Sequence, residues 1–177
     1  LQQGVRVEHY LISSGLKEIV EGCSIFHQFK EVYASEFLYD ENGVAVWPKL
    51  AVNYTAKTQF LFRINKGVLD ISNDLDLNRS IPDELRPVPF RNMIYIGDGL
   101  TDVPCMRLVK LNRGQSLAVY KKDKETGNNL LLDKRVDLIA PADYREGKKL
   151  DKLVKMILQK MALMSHLAIE HEKQKKK

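Results

Sequence analysis

The chain has 177 residues, 44% hydrophobic and 29% charged, with 28 Lys and Arg against 23 Asp and Glu for a formal charge of +5. That length supports one sizeable core without demanding two. No apolar run reaches the roughly 18 residues a membrane helix needs, and two cysteines, Cys23 and Cys105, form neither a disulfide framework nor a zinc pattern, which fits a reducing, cytoplasmic setting. Much of the basic excess sits in His171–Lys177, a solvated helix terminus and tail, so neither nucleic acid nor membrane is expected as a partner. The expected organisation is a core domain over 1–172 and a basic tail over 173–177.

In chain order, His9–Ile12, preceded by Val5 and Val7, reads as a buried strand that ends in a tight loop at Ser13-Ser14-Gly15. Leu16, Ile19 and Val20 fall at helical spacing, with Gly22 placed to stop the helix. Glu31–Ser35 forms a second strand. Phe37-Leu38-Tyr39 and Val44–Trp47 flank Asp40-Glu41-Asn42-Gly43, the pattern of a hairpin standing off the sheet. Phe60, Leu61 and Ile64 mark a helix from Lys57, with Thr55 as N-cap and Gly67 as stop. Ser72–Pro89, polar and proline-containing, reads as a loop with one short helix. Met93–Ile96 is a buried strand running into Gly97-Asp98-Gly99, followed by a helix from about Asp102 that carries Met106 and Val109. Ser116–Tyr120 and Val136–Ile139 are further strands, and Leu150, Leu153, Val154, Ile157 and Met161 stripe a long final helix from Lys148. Strands alternating with helices predict an open, mostly parallel α/β sheet.

Three features lie at junctions where open α/β sheets place ligands. Ser13-Ser14-Gly15 offers a hydroxyl and backbone N–H groups at a helix start, a phosphate cradle, or more plainly an ordinary N-cap. Asp98 and Asp102 in Gly97–Asp102 put two carboxylates on a strand-to-helix turn where a hard cation such as Mg²⁺ would be met; the plainer alternative is an acidic turn with Asp102 capping the helix. Lys57 opposes the helix dipole, which suits an anion to neutralise, although a first-turn lysine is ordinarily solvated. Cys23 and Cys105 read as buried small hydrophobes, Trp47 as local packing or a partner contact, and His166 and His171, five apart, as no metal site.

The order of apolar strand then Ser, helix-initial Lys, and apolar strand then Gly-Asp-Gly-Leu-Thr-Asp resembles the second, third and fourth motifs of the haloacid dehalogenase superfamily over Val7–Leu111, nearest its phosphoserine-phosphatase-like branch. The hairpin before Lys57 fits that branch. The resemblance implies a Rossmann-like three-layer core. It gives Ser13 and the Ser14 N–H the phosphoryl oxygens of a small phosphorylated metabolite, and gives Lys57 the charge of the phosphoryl group and of the nucleophile. Asp98 ligates Mg²⁺, and Asp102 completes the acidic cluster at the metal or its waters, or orients Lys57. The implied activity is that of a phosphatase working through an aspartyl-phosphate.

The family's first motif, an Asp-x-Asp at the end of the central strand, has no counterpart upstream of Ser13. Asp74-Leu75-Asp76 has the letters but lies in a polar loop after Lys57, and reads as surface. The expectation is that the central first strand, with its nucleophile and a cap, belongs to an upstream segment of a parent enzyme, and that these residues alone are inactive. Thr101, where the branch usually carries Asn, argues against phosphoserine itself as substrate. A catalytically inactive binding or regulatory protein on the same fold is the alternative.

Overall fold

A computed structural model describes residues 5–122 and 124–175, in two compact units, one of Val7–Pro89 and one that runs from Phe90 onward and takes in Val5 and Arg6. The protein is α/β, with one three-stranded sheet in each unit.

In the first unit, β1 (His9–Leu16) runs parallel to β2 (Phe29–Tyr39), with Leu11 opposite Val32 and Ile12 opposite Tyr33. The connection is α1 (Lys17–Glu21), stopped at Gly22, and a 3-10 turn over Phe26–Gln28. Ser13-Ser14-Gly15 is not a loop: β1 runs through it to Leu16, with an irregularity in the pairing after Ile12. Phe37–Tyr39 is not a separate strand either. β2 continues through it and turns into β3 (Ala45–Leu50), antiparallel, with Leu38 opposite Trp47. Asp40 Oδ1 accepts the N–H groups of Asn42 and Val44, and Gly43 takes φ 75°, which glycine adopts without a Cβ penalty. The hairpin stands in solvent: Trp47 is 69% exposed, so local packing does not explain it.

β2 is buried where it crosses the core at Val32, Tyr33 and Ala34, and α2 (Lys57–Lys66) contributes Phe60, Leu61 and Ile64 to that core. Tyr33 and Phe60 stack with centroids 4.4 Å apart. Thr55 does not cap α2. Asn53 does the work, its Oδ1 accepting the N–H of Thr55 and of Ala56 and the Thr55 hydroxyl. Gly67 stops the helix in the left-handed region, as expected. The polar segment that follows holds α3 (Asp74–Leu77) and a 3-10 turn over Asp83–Leu85.

The second unit carries β4 (Ile94–Gly97), β5 (Gln115–Tyr120) and β6 (Leu138–Pro141), all parallel and in that order. The last strand starts two residues later than expected: Val136, though buried, gives its N–H to the Leu130 carbonyl at the end of α5 and not to β5. The connections are α4 (Val103–Leu111) and α5 (Glu125–Leu132), the latter not legible beforehand, and α6 (Lys149–Lys175) follows β6. Ser116–Val119 are buried throughout, as a central parallel strand requires. Leu117, Val119 and Ala140 pack against Leu150 and Ile157, flanked by Leu153, Val154 and Met161 of the expected stripe.

Among the described residues β1 and β4 are each an outer strand of their sheet, as β3 and β6 are, and neither β1 nor β4 is as buried as its apolar run predicts. Leu11 and Ile12 are half-buried and Ile96 is 38% exposed. Cys105 is buried, whereas Cys23 is exposed, contrary to expectation: it sits in the turn after α1, and that helix buries no residue.

Candidate functional site

The first unit holds Ser13, Ser14 and Lys57. The Ser13 hydroxyl accepts the Gly15 N–H at 3.0 Å where the pairing of β1 is irregular, which leaves its own O–H to donate elsewhere. Ser35, on the neighbouring strand, donates its hydroxyl to the Ser14 carbonyl and accepts the Val52 N–H, tying this end of β1 to the segment that leads into α2. α2 packs against β1. Lys57, its first residue, is only 6% exposed, so it is not the solvated lysine that its position suggests. A buried ammonium is costly unless its charge is compensated, and at a helix N-terminus the dipole adds to that cost.

The second unit holds Asp98 and Asp102 on the turn between β4 and α4. A 3-10 turn over Leu100–Asp102 swings Asp102 back onto the strand, where it is 6% exposed. A Cβ on Gly97 would lie 2.7 Å from Asp102 Cβ and Oδ2, so only glycine leaves room for this carboxylate. Its Oδ1 accepts the Tyr95 hydroxyl at 2.8 Å. Asp102 is not the side-chain cap of α4: it makes no capping hydrogen bond there. Burial foremost, then Cys105 and Asp102, push the Tyr95 hydroxyl far above its ordinary range. Tyr144, after β6, is raised by burial and then by the charge of Asp98, so this loop faces the same strand ends. Next to it the Arg145 guanidinium holds the Asp143 carboxyl at about 2.

The two carboxylates are hard oxygen donors, and Mg²⁺ is commonly held by one or two carboxylates with water and substrate oxygens. In chemistry the pair suits that ion, although among the described residues no group of three or more His, Cys, Asp or Glu side chains gathers to hold a metal. Asp74-Leu75-Asp76 fits no nucleophile: Asp74 Oδ1 accepts Arg63 Nη2 at 2.6 Å, and Asp76 is bound at the start of α3 by Asn73. Sequence reasoning missed Tyr95. The signal was available, because a phenol inside an apolar strand requires a partner.

No family model matches the chain. It is 28% identical over 162 residues to an uncharacterized protein of Borreliella burgdorferi, an alignment covering 82% of this chain and 55% of that protein. The chain thus spans about half the length of the curated relative it matches. No solved structure matches. Among the described residues, no helix is long and apolar enough to cross a membrane.

Proposed function

We propose that the chain is the C-terminal part of a cytoplasmic, Mg²⁺-dependent phosphomonoester hydrolase of the haloacid dehalogenase type, acting on a small phosphorylated metabolite. The observation that carries this is the Gly97–Asp102 turn, where two carboxylates follow a parallel strand and one is buried against a glycine that admits no side chain. Lys57, buried at the start of α2, is the cation to which this reading gives the phosphoryl charge.

Asp98 and Asp102 would hold Mg²⁺, which supplies charge neutralisation at the phosphoryl group. The Ser13 O–H and Ser14 N–H donate to phosphoryl oxygens, and Lys57 neutralises their charge, so these residues act by positioning and electrostatics. The nucleophile is a carboxylate outside these residues: its oxygen bonds phosphorus as the ester oxygen leaves, and water then releases phosphate. The same proposal supplies the Rossmann-like three-layer sheet, with an Asp-x-Asp strand outside these residues that adds to an outer strand such as β1 or β4. The half-exposed apolar residues on those outer strands support it, because a buried-type strand at an edge seeks a partner.

One observation favours the alternative of a catalytically inactive binding protein: Asp-x-Asp follows no apolar strand in the chain, and Asp74 serves Arg63. Phosphate release from a panel of phosphomonoesters separates the two. Mg²⁺-dependent turnover by the full-length protein, lost in Asp98→Asn and absent from the 177 residues alone, is expected. A folded full-length protein that turns over nothing on a broad panel would establish the binding protein instead.

A further inference from the structure

Tyr95 lies two residues before Gly97 on β4, so both project from one face of the strand. The chain leaves that strand at Asp98 and returns to the same face at Asp102. There the carboxylate is held from two sides. Oδ2 lies over the bare Gly97, where a Cβ would come within 2.7 Å, and Oδ1 takes the Tyr95 hydroxyl at 2.8 Å. Cys105, fully buried on the first turn of α4, also interacts with that hydroxyl. A phenol in a short buried strand brings in a donor that must be satisfied, and an aliphatic side chain would fill the strand without that demand. What the phenol adds is a fixed direction for one carboxylate oxygen.

We infer that Tyr95 is a positioning residue of the acidic turn, its buried hydroxyl holding Asp102 in the orientation from which the carboxylate, beside Asp98, serves Mg²⁺. It touches neither metal nor substrate and acts through Asp102. The inference rests on the metal-dependent function proposed above. Partners of this kind, one shell out from a metal, typically change affinity about 10–100-fold when removed.

The test is calorimetric titration of the full-length protein with Mg²⁺ alone, which reads the site without turnover. Tyr95→Phe keeps the ring and removes the hydroxyl, and at least a ~10-fold weaker Mg²⁺ affinity is expected. Val109→Ala, a buried α4 residue away from the turn, is the control for general destabilisation and keeps the wild-type affinity. Gly97→Ala displaces Asp102 from its other side, is expected to weaken binding likewise, and decides the matter if Tyr95→Phe does not fold. Should Asp98→Asn weaken binding while Tyr95→Phe stays within twofold of wild type, the role of Tyr95 is overturned and the metal site stands. An equal loss in Val109→Ala also overturns that role. If wild type and Asp98→Asn are indistinguishable, the metal-dependent function itself is wrong, and Tyr95 has nothing to position.

Discussion

Arg63 is 2% exposed, and its guanidinium holds together the segment that follows α2. Nη1 donates to the carbonyls of Asp70 at 2.7 Å and Asn73 at 3.2 Å, and Nη2 to Ile71 at 3.0 Å and to the Asp74 carboxylate. Replacing it with Met retains apolar bulk and takes the guanidinium from three carbonyls; that of Asp70 keeps the Asn73 N–H, while those of Ile71 and Asn73 lose this donor, each worth about 1–3 kcal/mol when left dry. Two effects pull the other way. Arg63 Nε is buried without a partner, so its removal relieves a cost of about 1 kcal/mol or more. Asp70 and Ser72 are exposed, so water reaches part of the loop. A net loss of about 2–4 kcal/mol is expected for Arg63→Met, with Arg63→Lys intermediate because an ammonium cannot span the same fork of acceptors. Urea unfolding followed by circular dichroism measures the loss, and hydrogen exchange over 70–74 should show local opening ahead of global unfolding. A loss under about 1 kcal/mol with unchanged exchange would refute the claim that these carbonyl bonds organise the segment.

Asp74→Asn should leave turnover of the full-length protein unchanged and cost less than about 1 kcal/mol, because the Asp74 side chain is 73% exposed; loss of turnover would make Asp74 a reacting group. Gly114→Ala would bring a Cβ to 2.4 Å from the Phe90 carbonyl oxygen and 2.5 Å from Val109 Cγ1, a backbone clash expected to cost about 2 kcal/mol or more in the same unfolding assay. The Asp143 carboxyl, which accepts both Nε and Nη2 of Arg145, is lowered from 3.8 to about 2. A folded value below the unfolded one gives stabilisation that is present above pH ~4 and lost as pH falls through about 2. Carboxyl NMR should titrate Asp143 near 2, and Arg145→Ala should return it toward 3.8.

What the sequence made legible was the set of elements whose local signals agree with their packing. Leu150, Leu153, Val154, Ile157 and Met161 mark the stripe that α6 buries, and Gly67 marks the end of α2, because periodicity and left-handed backbone are local properties. α5 escaped for the opposite reason. Gly127, Asn128 and Asn129 are poor helix formers, and packing holds this helix instead: Gly127 is buried, and a Cβ there would lie 3.6 Å from Tyr120 and 3.7 Å from Ile139. Thr55 was displaced as cap by Asn53, whose side chain reaches three donors from one turn earlier.

The same division runs through the candidate site. Ser13, Lys57, Asp98 and Asp102 were legible as letters at junctions, but the burial of Lys57 and Asp102, which separates them from ordinary surface charges, is a tertiary fact. So is the partner of Asp102. Gly97 was legible as a turn residue, whereas the structure gives it a second task, since the turn could be made by other residues but the carboxylate lying on it could not. A site built this way constrains the strand as much as the loop. If Asp102 must rest on residue 97 and meet a donor from residue 95, then β4 is committed on that face to a glycine and a phenol. That commitment gives up apolar burial in a four-residue strand, and orientation of a carboxylate is the gain the structure offers in return.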